Sequence, residues 1–273
     1  MNCFRVHAFT QDPFGGNPAC VMPLTSWPSD RWMLRMAQEN AVAETAYIVA
    51  TPEGEGIPAA DFHLRWFTPD IEMDLCGHAT LASAHTVLHH LTPEAQSVTF
   101  SSASGLLTVR KCDDGRLEMD LPSRPPLPAE LPQAIAKALN HAPIEVHKAR
   151  DFVLVYPDQQ TLDDIRIDRN EFDRIDLGHG GVIVTAPGDN VDFVSRFFTP
   201  QATILEDPVT GSAHCSLVPY WHSRTGTTTF TAEQRSARRG QLHCTLAGDR
   251  VHVRGHALTF SQALLPASIT KTA

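Results

Sequence analysis

The sequence lacks the features that would place it in several large classes. Its six cysteines stand singly, with no CxxC pair, so neither a disulfide framework nor a zinc ribbon is expected, and reduced thiols in a cytoplasm are. No window approaches the 18 uninterrupted apolar residues of a membrane span, and the start, MNCFRVHAFT, has no basic segment followed by an apolar run, so no secretory signal is read there. Positive charge is short: 22 Lys and Arg against 31 Asp and Glu leave a net charge of −9, which argues against nucleic acid or an anionic membrane as partner. Neither a GxGxxG after a strand nor a Walker sequence is present, so nucleotide binding has no support.

What remains is a globular composition, 42% hydrophobic and 19% charged, over 273 residues, enough chain for two domains. An internal repeat gives that count a basis. Asp61-Phe-His-Leu-Arg-Trp-Phe-Thr-Pro69 returns as Asp192-Phe-Val-Ser-Arg-Phe-Phe-Thr-Pro200, with six identities in nine positions at an offset of 131. Each copy runs on into a small-residue segment. Gly77-His78-Ala79 in the first faces Gly211-Ser212-Ala213 in the second, at an offset of 134. A duplicated domain is expected, each copy carrying a strand, a Thr-Pro turn and a glycine that opens a helix. The halves are expected at residues 1–120 and 125–260, joined by Leu121–Pro132, where five prolines in twelve residues favour an extended connector.

Most of the chain reads as strands and hairpins. Residues 105–121 form two strands around an Asp-Gly turn, and Gly15-Gly16-Asn17-Pro18 is a tight turn first and a ligand loop second. Helices are predicted over Asp30–Asn40 with Ser29 as N-cap, and over Ala79–His89, Ala129–Leu139 and Ala213–Arg224. The fold class is α+β, two similar halves of antiparallel or mixed sheet, each wrapped about a helix.

Candidate chemistry sits at the glycine motifs. The first amides of a helix have no internal partners and attract a carboxylate, so Gly77 and Gly211 are each candidates to hold one, and the two helix starts are expected to face one cleft. Helix-opening turns in a packed core are the plain alternative. Glu44 opens an apolar strand with no cation nearby in sequence, a setting that would raise its carboxyl pKa and suit it to carry a proton; a solvent-facing glutamate at a strand end is the commoner outcome. His78 is a ligand, an acid-base residue or a helix-start donor. His85, His89 and His90 follow as HxxxHH without an acidic ligand, a polar helix face rather than a metal site, so no zinc is expected.

Four motifs in order carry a resemblance: Ala8-Phe9-Thr10 with Pro13-Phe-Gly-Gly-Asn-Pro-Ala19, Ala43-Glu-Thr-Ala46, Arg65-Trp-Phe-Thr-Pro69 with Leu75-Cys-Gly-His-Ala-Thr-Leu-Ala82, and Glu206-Asp-Pro-Val-Thr-Gly-Ser-Ala213. The chain resembles the phenazine-biosynthesis PhzF-like isomerases. The resemblance implies a diaminopimelate-epimerase-like fold, a final segment (257–273) returning to the first half, a homodimer, no cofactor or metal, and a small carboxylate-bearing substrate held between the halves. It implies Glu44 as the proton-shuttling acid, with His78, Asp207 and Ser212 as catalytic companions, and Cys76, Gly77, Gly211 and Ala213 as substrate-binding positions. One departure stands out. Phenazine-producing members resemble Ala-Gly-His-Pro where this chain has Cys76-Gly77-His78-Ala79, a pattern of relatives of unknown substrate.

Two other readings share the scaffold. A two-cysteine racemase or epimerase would use Cys76 as its first base, but the alignment sets Asp207 opposite it and the nearest second-half thiol, Cys215, lies past the glycine. A non-catalytic binding protein would keep both helix starts and have no use for Glu44. The proton-shuttle reading adds that Glu44 should be mostly buried, unpaired by Arg or Lys, and within reach of His78 and Asp207.

Overall fold

In a computed structural model, which describes residues 1–51, 60–266 and 269, the chain divides into two units. One is Met1–Asp120 with Arg254–Ala273, and the other is Leu121–Val253.

The first unit contains β1 (Asn2–Ala8), β2 (Asn17–Leu24), α1 (Asp30–Asn40), β3 (Glu44–Ala50), β4 (Phe62–Phe67), β5 (Glu72–Met73), α2 (Gly77–Thr86), β6 (Ser97–Ser102), β7 (Gly105–Lys111) and β8 (Leu117–Pro122). The chain's last strand, Ala257–Leu264, pairs antiparallel with β1, which pairs antiparallel with β2. Then β2 runs parallel to β3, β3 antiparallel to β4, β4 parallel to β6, and β6 to β8 antiparallel in turn. Residues 267, 268 and 270–273, included in the expectation for the chain's end, lie outside the described residues.

The second unit repeats that order. It contains β9 (Leu127–Pro128), α3 (Gln133–Ala138), β10 (Glu145–Lys148), β11 (Phe152–Val155), α4 (Gln159–Asp163), α5 (Arg169–Phe172), β12 (Val182–Pro187), β13 (Phe193–Phe198), β14 (Glu206–Asp207), α6 (His214–Thr225), β15 (Thr229–Gln234) and β16 (Gly240–Ala247). Here β9, β10 and β11 are antiparallel, β11 and β12 parallel, β12 and β13 antiparallel, β13 and β15 parallel, and β15 and β16 antiparallel. The short strands β5 and β14 each pair antiparallel with the strand that carries the sequence repeat, Phe67 opposite Glu72 and Phe198 opposite Glu206. The architecture is α+β, mixed sheet around a helix, twice.

Each central helix is buried because its sequence permits it. Every residue of α2, GHATLASAHT, is buried, and the small side chains let strands approach on all sides. Its hydroxyls do not need water: Thr80, Ser83 and Thr86 donate back to the carbonyls of Cys76, Ala79 and Ala82 at 2.6, 2.7 and 3.0 Å. In α6, residues His214 to Trp221 are buried, with Pro219 inside the helix.

Local signals account for other elements. Ser29 caps α1, its hydroxyl accepting from Trp32 N at 3.3 Å. Gly16 has φ +65°, and a Cβ there would lie 2.3 Å from the carbonyl oxygen of Ala8, so only glycine fits that turn. Gly115 closes the predicted Asp-Gly turn with φ +80°.

Two helix expectations are corrected. The predicted Ala129–Leu139 helix begins only at Gln133. Pro132 disfavours helical geometry at Leu131, and Ala129 is already engaged, its N–H donating to Val146 O at 3.0 Å. The predicted continuous helix to His89 ends at Thr86 and passes into a wider π-type turn, Val87–Leu91. His85 is buried and His89 and His90 are exposed, yet the three rings gather at the helix end: His85 stacks on His89 with centroids 4.3 Å apart, and His85 and His90 both reach Thr259 Oγ1, at 3.0 and 2.7 Å. No helix among the described residues is long and apolar enough to cross a membrane.

Candidate active site

Glu44 is the first residue of β3, and β3 packs against α2, whose first turn carries His78. This brings Glu44 Oε2 to 3.0 Å from His78 Nε2, with the Glu44 side chain 12% exposed and that of His78 2%. The separation is that of an ion pair. The alignment is not that of a hydrogen bond, and neither atom has a well-aligned partner. No Arg or Lys pairs with Glu44 among the described residues, as expected. Burying a carboxylate and an imidazole without completing their hydrogen bonds costs several kcal/mol, a cost that proteins concentrate at functional sites.

Cys76 precedes the helix. As its N-cap it makes no side-chain cap bond; its Sγ lies 3.5 Å from the other ring nitrogen of His78, Nδ1. The imidazole therefore stands between a thiol and a carboxylate. Burial pushes the Cys76 thiol up to about 11, with the Glu44 charge adding to it. For His78, burial works against the charged form, but the acidic neighbours Cys76 and Glu44 outweigh it and hold the ring well above the usual histidine range. Sγ, one ring nitrogen and a carboxylate oxygen lie within 4.8 Å of one another, close enough to be weighed as a metal centre. The ring turns Nδ1 to sulfur at 3.5 Å and Nε2 to a carboxylate oxygen at 3.0 Å, so the imidazole bridges the two.

Gly77 and Ala79, like His78, are buried in the first turn of α2, where backbone N–H groups lack helical acceptors.

The second unit builds the same helix start with different side chains. Thr210 takes the place of Cys76 as the residue before the turn, and Gly211–Ala213 form a short 3₁₀ turn leading into α6. Gly211 and Ala213 are buried, and Ser212 is partly buried. Asp207, on β14, accepts a hydrogen bond from Thr210 Oγ1. Sequence reasoning missed the residue that fastens this loop. Gln234, fully buried at the end of β15, accepts from Thr210 N and donates to Asp207 O, both at 2.7 Å. Ser236 adds a bond from its hydroxyl to Pro208 O at 2.7 Å. His214 takes the place of Thr80: its Nδ1 donates to Thr210 O at 3.1 Å, leaving Nε2 buried without a partner. Burial lowers the pKa of His214 to about 4, so the ring is neutral.

A second missed pair braces both helix starts. Arg65 grips Glu72 with two bonds of 2.7 Å, and Arg196 grips Glu206 at 2.8 and 3.0 Å, each tying the repeat strand to the short strand beside it. The signal lay in the repeat, where both arginines are among its identities.

Known proteins bear out the resemblance. The family model described as "Phenazine biosynthesis-like protein" matches residues 6–263. A protein of Pseudomonas aeruginosa named an uncharacterized isomerase is 42% identical over 266 residues, covering 97% of this chain and 98% of its own. The crystal structure of a PhzF-family phenazine biosynthesis protein from Enterococcus faecalis matches with TM-score 0.86 at 40% identity, covering 97% of this chain and 99% of its own. A hydroxyproline epimerase from Agrobacterium vitis, at 12% identity and TM-score 0.63, covers 96% of this chain and 91% of its own and shares the fold alone. With the family model spanning nearly the whole chain and the fold agreeing, the protein belongs to the phenazine biosynthesis-like family.

Proposed function

We propose that the protein is a cofactor-independent isomerase that moves a proton within a small carboxylate-bearing substrate, with Glu44 carrying the proton. The observation that carries this reading is the buried Glu44–His78 pair, whose facing atoms lie 3.0 Å apart with no well-aligned hydrogen bond. A carboxylate held out of water beside an imidazole is a competent base toward a carbon acid. One Glu44 oxygen takes the proton from a substrate carbon, breaking C–H and forming O–H, while the electron pair spreads into the substrate's conjugated system. The same O–H then gives the proton to a different carbon, and the carboxylate is restored with no net gain or loss. The amides opening α2 at Gly77 and His78 are suited to hold the substrate carboxylate.

Asp207 and Ser212 act as companions in orienting the substrate and relaying the proton, with Gly211 and Ala213 contributing backbone contacts. Their assignment to the same reaction rests on the repeated motif and on family membership. Homodimer assembly belongs to the same reading. The two-thiol racemase loses support on one observation: Cys215 is fully buried inside α6, and the position matching Cys76 is Thr210. A binding protein has no use for a buried Glu44.

The test is deuterium incorporation from heavy water into a panel of small carboxylates bearing an acidic C–H next to a double bond. Incorporation by the wild type that is lost in Glu44→Gln supports the proposal. Racemisation that depends on Cys76 and survives Glu44→Gln would replace it with the two-thiol mechanism, and tight binding of a panel member without exchange would favour the binding protein.

A further inference from the structure

An N-cap position usually carries Ser, Thr, Asp or Asn, whose oxygen satisfies an orphan amide of the first turn. Here it carries Cys76, which makes no aligned side-chain cap bond and turns its sulfur to Nδ1 of His78, two residues on, at 3.5 Å. The backbone around it is held independently, since the Cys76 carbonyl accepts both Thr80 N at 3.1 Å and Thr80 Oγ1 at 2.6 Å. The thiol is 5% exposed, out of contact with bulk water. The proton-shuttle reading gives this side chain no part in the chemistry.

We propose that Cys76 is a positioning residue for His78: its sulfur holds Nδ1, so that Nε2, the nitrogen on the Glu44 side of the ring, always carries a proton. The two protonation states of the ring lead to the same result. When His78 is neutral, the thiol donates S–H to Nδ1 and the ring proton must sit on Nε2. When His78 is cationic, Nδ1–H turns to sulfur as acceptor, and Nε2, on the Glu44 side, again carries a proton. The thiol keeps its proton at neutral pH because burial and the Glu44 charge hold it there. The consequence for catalysis rests on the proposed role of Glu44: a protonated Nε2 keeps the imidazole from meeting the carboxylate with a lone pair. Cys76 and Glu44 are the titratable groups that act on the ring.

Glu44 favours the same tautomer, so the experiment must separate the two. Side-chain ¹⁵N NMR of His78, recorded without any ligand, reports which ring nitrogen is protonated. In the wild type and in Glu44→Gln the neutral ring is expected as the Nε2–H form, because the thiol still holds Nδ1. Adding Cys76→Ala to Glu44→Gln should bring loss of that preference and appearance of Nδ1–H, and Cys76→Ser in the same background should restore it through its hydroxyl. A neutral ring in the Nδ1–H form in the wild type, or an unchanged neutral ring in the Cys76→Ala double variant, overturns the proposal. If the Ala variant does not fold, the wild type, Glu44→Gln and the Ser variant decide it alone, since Nδ1–H in any of them has the same effect. Deuterium exchange is not involved, so failure of the proton-shuttle reading and failure of this one are read from different measurements.

Discussion

The two helix starts are copies of one design, and they differ in what has been left unfinished. In the first, Glu44 Oε2 and His78 Nε2 face each other at 3.0 Å, both atoms buried and without aligned hydrogen bonds. In the second, the corresponding loop is tied down: Asp207 takes the Thr210 hydroxyl, and Gln234 accepts from Thr210 N and donates to Asp207 O. Even the carbonyl before the first turn is served differently, by the Thr80 hydroxyl in one and by His214 Nδ1 in the other. Duplication preserves a scaffold because strand pairing and a small-residue helix core tolerate little change. It leaves side chains where the helix begins free to diverge, so the two copies can carry different groups on one frame.

The contrast is sharpest at Glu44. Glu44→Gln keeps the shape of the side chain and removes the titrating oxygen, so exchange into a true substrate should fall by about 100-fold to 10,000-fold with binding retained. Equal loss of binding and turnover would move Glu44 from proton carrier to substrate anchor. Next in size is Gln234→Ala, which leaves the Thr210 N–H without its acceptor and opens a cavity in a fully buried site. It is expected to cost about 2 to 4 kcal/mol in urea denaturation. A variant as stable as wild type would show that the second helix start is not rigid through this network.

Protonation separates the two copies by sign. His214 is neutral in the fold down to about 4, whereas an unfolded histidine takes its proton near 6.5. Its contribution to stability is therefore complete above about pH 6.5 and is lost as pH falls toward 4, at about 1.4 kcal/mol per pH unit. His78 is raised instead, so its contribution is complete below about pH 6.5 and is lost only as pH rises through its folded value. Thermal melts at stepped pH should show His214→Phe removing part of the acid-side slope. Histidine NMR titration should show His78 losing its proton above the usual histidine range and His214 below it, at about 4, and the reverse order would dissolve the distinction. The smallest effect concerns the braces. Arg196, with its side chain 12% exposed, also donates to Leu162 O and Ile165 O, while Arg65 is 28% exposed. Arg196→Ala should cost about 1.5 to 3 kcal/mol and Arg65→Ala about 1 kcal/mol or less, because solvent screens the outer pair. Equal losses would mean that burial does not distinguish them.

Much of this is legible in the residues. The Arg-Phe-Phe-Thr-Pro echo marks the repeat, Ser29 marks the start of α1, and Gly77 and Gly211 mark both helix starts, since these depend on local backbone geometry. The expectation of a helix over Ala129–Leu139 fails because an apolar pattern does not outweigh Pro132, and the expected α-helix to His89 stops early because a π-type turn leaves no mark on periodicity. Gln234 and the Glu72 and Glu206 partners escape sequence reasoning because nothing in a sequence says which strand end will close over which loop.

By itself, then, the sequence determined the class of the fold, its doubling and the identity of the candidate acid Glu44, all of which rest on short-range pattern and motif. Only tertiary structure decided that His78 bridges Cys76 and Glu44, and that Asp207 is held by Thr210 while its loop is fastened by Gln234. Those contacts join residues on different elements, and their distances depend on how β3 packs against α2 and β15 closes over the loop after β14. A hydrogen bond or a proton path depends on tenths of an ångström, and packing sets these where residue type does not.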